Sequence, residues 1–186
     1  MVIKNILSTG LVEQNNISNL SDSILHYYST DMNEKASNVA KEILSVIDNS
    51  NDNDESLATI DRLTDELLEI RITLMKDSVM FEQLMNMNLF YRTRISDGIK
   101  MLEEELEKND NDNEFYTRAS LEKRIEDLRL TCVVSEQMDH QIRLLLTNNQ
   151  KTVSAIENTA FTTVTLWKNR LLLETSRKNL NLQGEY

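Results

Sequence analysis

The stretch IDRLTDELLEIRITLMKDSVMFEQLMNMNLFYRTRISDGIKMLEEELEK, Ile60 to Lys108, decides the fold. With Ile60 at heptad position a, the a residues are Ile60, Leu67, Leu74, Phe81, Asn88, Ile95 and Leu102; the d residues open as Leu63, Ile70, Asp77, Leu84 and Tyr91. Apolar residues alternating at spacings of three and four mark a helix that pairs with another along its length. Towards its end the stripe shifts to Ile95, Ile99, Leu102 and Leu106, a spacing nearer that of a straight helix. The whole segment, from about Glu55, predicts a single helix extending roughly 80 Å at 1.5 Å per residue.

Outward from this helix, NDNDNE (109–114) breaks the pattern with residues that prefer turns and is the expected hairpin tip. From Phe115 the helical period resumes, with Leu121, Leu128, Ile142 and Ile156 on one seam line and Ile125, Cys132, Leu146, Val153, Ala160 and Trp167 on the other. Ser135, Asp139 and Asn149 interrupt it. A hairpin closing near residue 111 sets Asn88 opposite roughly residue 134 and Asp77 opposite roughly residue 145, assuming equal rise in both helices. Asp77 and Arg143 are therefore expected partners, with Asn148 and Asn149 nearby. The pattern fades beyond Leu173, and NLNLQGEY reads as a frayed end.

On the other side, Ile17, Leu20, Ile24 and Tyr28 form one stripe and Met32, Ala36, Val39, Ile43 and Ile47 a second, with Thr30 or Asp31 as cap. Two short helices forming a hairpin are expected over 1–48. The connecting DNSNDND (48–54) has acidic spacing but fails as a calcium loop: its sixth position is Asn53 where glycine is needed, and its twelfth is Thr59 where a bidentate Glu is needed. It reads as a solvated linker.

Composition agrees. There are no prolines and three glycines, so hairpin turns and phosphate loops have little to be built from; 40% hydrophobic and 5% aromatic content suits narrow helical seams more than a thick core. The expectation is one all-α domain over 1–186, an elongated helical bundle built on a long antiparallel coiled-coil hairpin over 55–182.

Lys and Arg total 20 against 31 Asp and Glu, a formal charge of -11. Phosphate polyanions and anionic lipid would be repelled, so nucleic acid is excluded as a partner class. No apolar run approaches a membrane span and the N-terminus has no export signal, so no membrane insertion is expected. A single cysteine, Cys132, makes no internal disulfide and points to the cytoplasm.

No catalytic residues, metal site or cofactor are expected. The two histidines, His26 and His140, stand on different helices, Cys132 sits at a seam position, and Gly10 and Gly98 are isolated. Arg92, Arg94, Lys123, Arg124 and Arg129 alternate with acids and read as a solvated, ion-paired face. What remains is the polar set embedded in the seam. Asp77, Asn88, Asp139, Arg143, Asn148, Asn149 and Lys151 form a candidate polar layer that either fixes register or receives an anion or a partner. Trp167, Lys168 and Asn169 combine a large amphipathic anchor with polar neighbours, a candidate interface, although core packing is the favoured role for Trp167.

One family matches these residues. QIRLLLTNNQKTVSAIENTAFTTVTLWKN (Gln141–Asn169) closely resembles the most characteristic stretch of the toxic anion resistance family, the TelA-like proteins associated with tellurite resistance. ILSTGLVEQNNISNLSDSILHYYSTDMNEKASNVAKEIL resembles its N-terminal segment. LMKDSVMFEQLMNMNLFYRTRISDGIKMLEEEL resembles its central segment, with Asp77, Asn88 and Tyr91 at matching motif positions. Typical members continue well past the Trp-Lys-Asn motif and carry a longer link between the first two blocks, so the resemblance implies a short or truncated member. Val164 stands where the family pattern has proline, and the helix is expected to run straight there. The resemblance implies a cytoplasmic bacterial protein linked to resistance against tellurite or related stress, and no established enzymatic mechanism; with no catalytic constellation among the residues, a non-enzymatic helical scaffold is expected. Its expected partner is a protein, including other tellurium-resistance or stress proteins; direct oxyanion handling and a self-associating coiled coil (a homo-oligomer) are the alternatives.

Overall fold

The computed structural model describes residues 11–22, 24, 32–49, 54–108 and 118–183, all of them helical. The elements are α1 (11–22), α2 (Met32–Asn49), α3 (Asp54–Lys108), α4 (Arg118–Glu157), a π-helical turn (Asn158–Thr163) and α5 (Val164–Gln183). The fold is an all-α helical bundle. The expected tip at 109–114, the lead-in before Leu11 and the Thr30 or Asp31 cap lie outside the described residues.

Helix α3 follows its heptads closely. All seven predicted a residues are buried, none more than 3% exposed, and Leu63 and Ile70 join them at d. Asp77, Leu84 and Tyr91 are half-buried. Removing a Leu, Ile or Phe side chain from water contributes about 1.5–3 kcal/mol, so the seam supplies most of what holds this long helix in place. Its hydroxyl residues stay within helical geometry by donating one turn back: Thr64 to the Ile60 carbonyl (2.7 Å), Ser78 to Leu74 (2.8 Å) and Thr93 to Leu89 (2.9 Å).

The chain divides into two compact units, the first Met1–Thr30 with Val79–Leu145 and the second Asp31–Ser78 with Leu146–Tyr186. Both long helices contribute to each. Residues 1–48 do not group together: α1 belongs to the first unit and α2 to the second.

In the first unit α1 buries Ile17 and Leu20, with Ile24 buried just beyond its end, α3 buries Phe81, Ile95 and Leu102, and α4 buries Leu121, Ile125, Leu128, Met138, Ile142 and Leu145. Asn88 meets Ser135 while Glu103 meets Arg129 (2.6 Å), so α3 and α4 run antiparallel here. Helix α1 is fixed by polar contacts at its start. Glu13, 4% exposed, takes Arg94 (3.0 Å), whose guanidinium also lies over the Phe90 ring, and Gln14 donates to Thr131 Oγ1 (2.8 Å) while accepting from Arg124 (2.7 Å).

The second unit has one apolar core: Ala36, Val39 and Ile43 of α2, Ile60 to Leu74 of α3, Ile156 at the end of α4, and Val164 and Trp167 of α5. Ion pairs Arg71–Glu157 (2.6 Å), Lys35–Glu66 (3.1 Å) and Lys168–Asp61 fringe it.

The straight run expected around Val164 is not what forms. A six-residue π turn precedes it, closed by the Val164 N–H donating to the Thr159 carbonyl, five residues back. The reason lies in the spacing of Ile156, Ala160 and Val164, all buried. Successive steps of four overshoot a 3.6-residue turn and would carry the stripe around the helix; a wider turn returns Val164 and Trp167 to the core. Proline is not needed for the interruption.

Candidate functional site

Asn88 is the polar residue that the α3 heptads place deepest, at 0% exposure. Its amide is fully used. One side-chain nitrogen donates to the Ser135 carbonyl (2.8 Å) and to Asp139 Oδ1 (2.8 Å), and its oxygen accepts from Ser135 Oγ (2.8 Å). Asp139 passes the connection on, its Oδ2 receiving Arg92 Nη1 at 3.1 Å. Asn88 and Arg92 are one turn apart on α3, as are Ser135 and Asp139 on α4, so each helix presents two groups on one face. The result is a four-residue polar layer in which each buried group is bonded, the condition under which such a layer is tolerated in an apolar seam.

Arg92 also borders an open cleft of about 320 Å³ on the same unit, lined by Arg92, Thr93, Ser96, Asp97, Lys100, Cys132 and Glu136. Lys100 leans towards Asp97 (3.7 Å). The half-buried Cys132 thiol is pushed up from its ordinary pKa by burial and by the Glu136 carboxylate, with Arg92 opposing. It is therefore held as a thiol, a weak nucleophile and weak metal ligand. Among the described residues no group of three or more His, Cys, Asp or Glu is arranged to hold a metal ion.

A second layer sits in the other unit. Asn149, 3% exposed, donates to the Leu74 carbonyl and to Ser78 Oγ (both 3.4 Å) and accepts from Asn33 (3.5 Å). Thr152 donates to Asn33 Oδ1 at 2.6 Å. These contacts join α2, α3 and α4, but the amide bonds are long and weaker than those around Asn88.

The residues marked from sequence thus separate. Asn88 and Asp139 come together; Asn149 builds its own layer. Asp77 lies half-buried in the second unit, its carboxyl raised by desolvation, whereas Arg143 is exposed on the first. Asn148 and Lys151 are exposed on α4. Trp167, 8% exposed, is a core residue and presents little surface; Lys168 is engaged with Asp61, and Asn169 is exposed.

Sequence reading missed Arg92 and the cleft. Charge alternation assigns Arg92 to a solvated face, yet it is half-buried, as is Arg124. Burial lowers the Arg124 pKa against the pull of Asp127, and its Nη2 is buried without a hydrogen-bond partner. The signal for Arg92 was present in its position one turn beyond Asn88.

Residues 111–183 match the model of the family described as toxic anion resistance protein (TelA). The chain is 28% identical over 134 residues to a TelA-like protein of Staphylococcus saprophyticus, and 27% and 26% identical over 136 residues to TelA-like proteins of two Staphylococcus epidermidis strains. The matches cover 60–61% of this chain and 36% of each relative. No solved structure matches. Among the described residues no helix is long and apolar enough to cross a membrane. Over residues 111–183 the chain is thus similar to the TelA family model, and it spans about a third of the length of the three TelA-like proteins it resembles.

Proposed function

We propose that this chain serves toxic anion resistance, tellurite foremost, as a non-enzymatic helical scaffold that engages a partner protein, with other tellurium-resistance or stress proteins the first to try. The observation that carries this reading is the way the seam uses its polar groups. Asn88, Ser135, Asp139 and Arg92 bond to one another, which supports a register-fixing role for the layer. The protonated Cys132 thiol of the neighbouring cleft is a weak nucleophile, which also supports a non-enzymatic role. The lone cysteine supports a cytoplasmic setting.

The cleft favours one second reading, direct oxyanion binding between Arg92 and Lys100, with the Thr93 and Ser96 hydroxyls as further donors. Survival of cells challenged with tellurite separates the two. Under the scaffold reading, cells expressing the Lys100→Ala, Cys132→Ser variant survive as well as those expressing the unaltered chain; loss of protection in that variant would transfer the function to the cleft.

A further inference from the structure

Helix α4 carries a second seam, pointing away from the first. Each inward residue of its core line is followed two positions later by an outward one, about 200° around the helix at 3.6 residues per turn. Leu128 is thus followed by Leu130, Ser135 by Gln137 and Ile142 by Leu144. Together with Val134 and Gln141, which hold the intervening turns, these give Leu130, Val134, Gln137, Gln141 and Leu144, at the alternating spacing of four and three that defines a coiled-coil stripe. All five are exposed, Leu130 at 57%, Val134 at 45% and Leu144 at 56%. Not one is charged, in a chain where 27% of residues are.

We propose that this stripe is the contact surface for a second copy of the chain, docked antiparallel about a twofold axis near residue 139 of α4. About that axis the four positions 134, 137, 141 and 144 form a palindrome of apolar, amide, amide and apolar residues. Antiparallel layers pair an a residue of one helix with a d residue of the other, so Val134 meets Leu144 of the second copy and Gln137 meets Gln141, each pairing occurring twice by symmetry. Apolar groups then bury apolar groups, and each amide finds an amide able to donate and accept. Sliding either helix by one heptad sets Val134 against Gln137 and loses both matches. The paired Gln layers fix register, as polar seam residues do elsewhere in coiled coils.

Charge argues against other occupants. A basic helix would seek carboxylates at the seam, and the five positions offer none; a lipid surface would need flanking cations in number, which a chain of charge -11 does not supply. A single helix pair is smaller than the roughly 1,200 Å² of a standard interface, so the dimer should be weak and depend on concentration.

Cysteine pairing in the full chain tests this, with Cys132→Ser in every variant. Val134→Cys and Leu144→Cys, mixed and oxidised, should give a disulfide-linked heterodimer in excess of either protein oxidised alone. His140→Cys, next to the axis, should link to itself, while Leu130→Cys should not. Efficient self-linking through Leu130→Cys would indicate parallel pairing and overturn the proposal. Light scattering provides the second readout. A shift towards twice the monomer mass as concentration rises, abolished by Leu144→Lys with unchanged helicity, is expected; a strict monomer up to about 1 mM would overturn the proposal.

Discussion

Replacing Asn88 with alanine removes the centre of the first unit's polar layer. Two of the lost hydrogen bonds are neutral, to and from Ser135, worth about 0.5–1.5 kcal/mol each, and one is to the Asp139 carboxylate, worth about 1.5–3. Relaxation returns part of this. The Ser135 hydroxyl can rotate to the carbonyl one turn back, and Asp139 keeps Arg92. The net loss expected is on the order of 3 kcal/mol, equivalent to roughly 6–12 °C in melting temperature at about 2–4 °C per kcal/mol for a chain of this size. Urea unfolding followed by circular dichroism at 222 nm reads it as a lower midpoint. The double variant Asn88→Leu, Ser135→Ala should recover most of the loss, because replacing both partners with apolar groups leaves nothing unsatisfied between them. A loss for Asn88→Ala below about 1 kcal/mol, the worth of one neutral bond, would refute the claim that the layer is tightly bonded.

Asp77→Asn should stabilise the protein at neutral pH. A carboxyl raised in the folded state opposes folding once it ionises, so the advantage of the variant should be full at pH 7 and vanish as pH falls into the ordinary carboxylate range; pH-dependent melting checks this. Cys132 should react with iodoacetamide at pH 7 several-fold more slowly than a free thiol. Glu136→Gln should speed the reaction and Arg92→Gln slow it, following the sign each charge contributes. Arg71→Ala breaks an ion pair that is close at 2.6 Å but whose carboxylate side chain is 41% exposed, so the cost should be under about 1 kcal/mol and smaller in high salt.

How far the sequence could be read depended on the kind of signal each residue gave. The a line of α3 was legible because seven heptads repeat without a break, and loop closure near 111 put Asn88 within one residue of its true partner Ser135. The partner line on α4 was less so. Burial passes from Ile125 to Met138 and Leu145, leaving Cys132, Leu146 and Val153 half-buried, since a 3.6-residue helix drifts about 20° per heptad against a fixed frame. The π turn carried no proline or glycine to mark it; only the spacing of Ile156, Ala160 and Val164 hinted at it. Arg92 was hidden by its charge, because alternating signs along a helix look the same whether a guanidinium is solvated or turned into a layer. Helix α1 shows a stripe but no address, and the contacts of Glu13 and Gln14 that place it are specific to side chains far along the chain, 117 and 110 positions away for the two Gln14 contacts.

Calorimetric titration of tellurite into the purified full chain tests the central claim most directly, that the polar seam and its neighbouring cleft are structural and the chain acts without handling the anion itself. The expected result is no saturable heat at millimolar ligand. Micromolar binding that is lost in Lys100→Ala would contradict it.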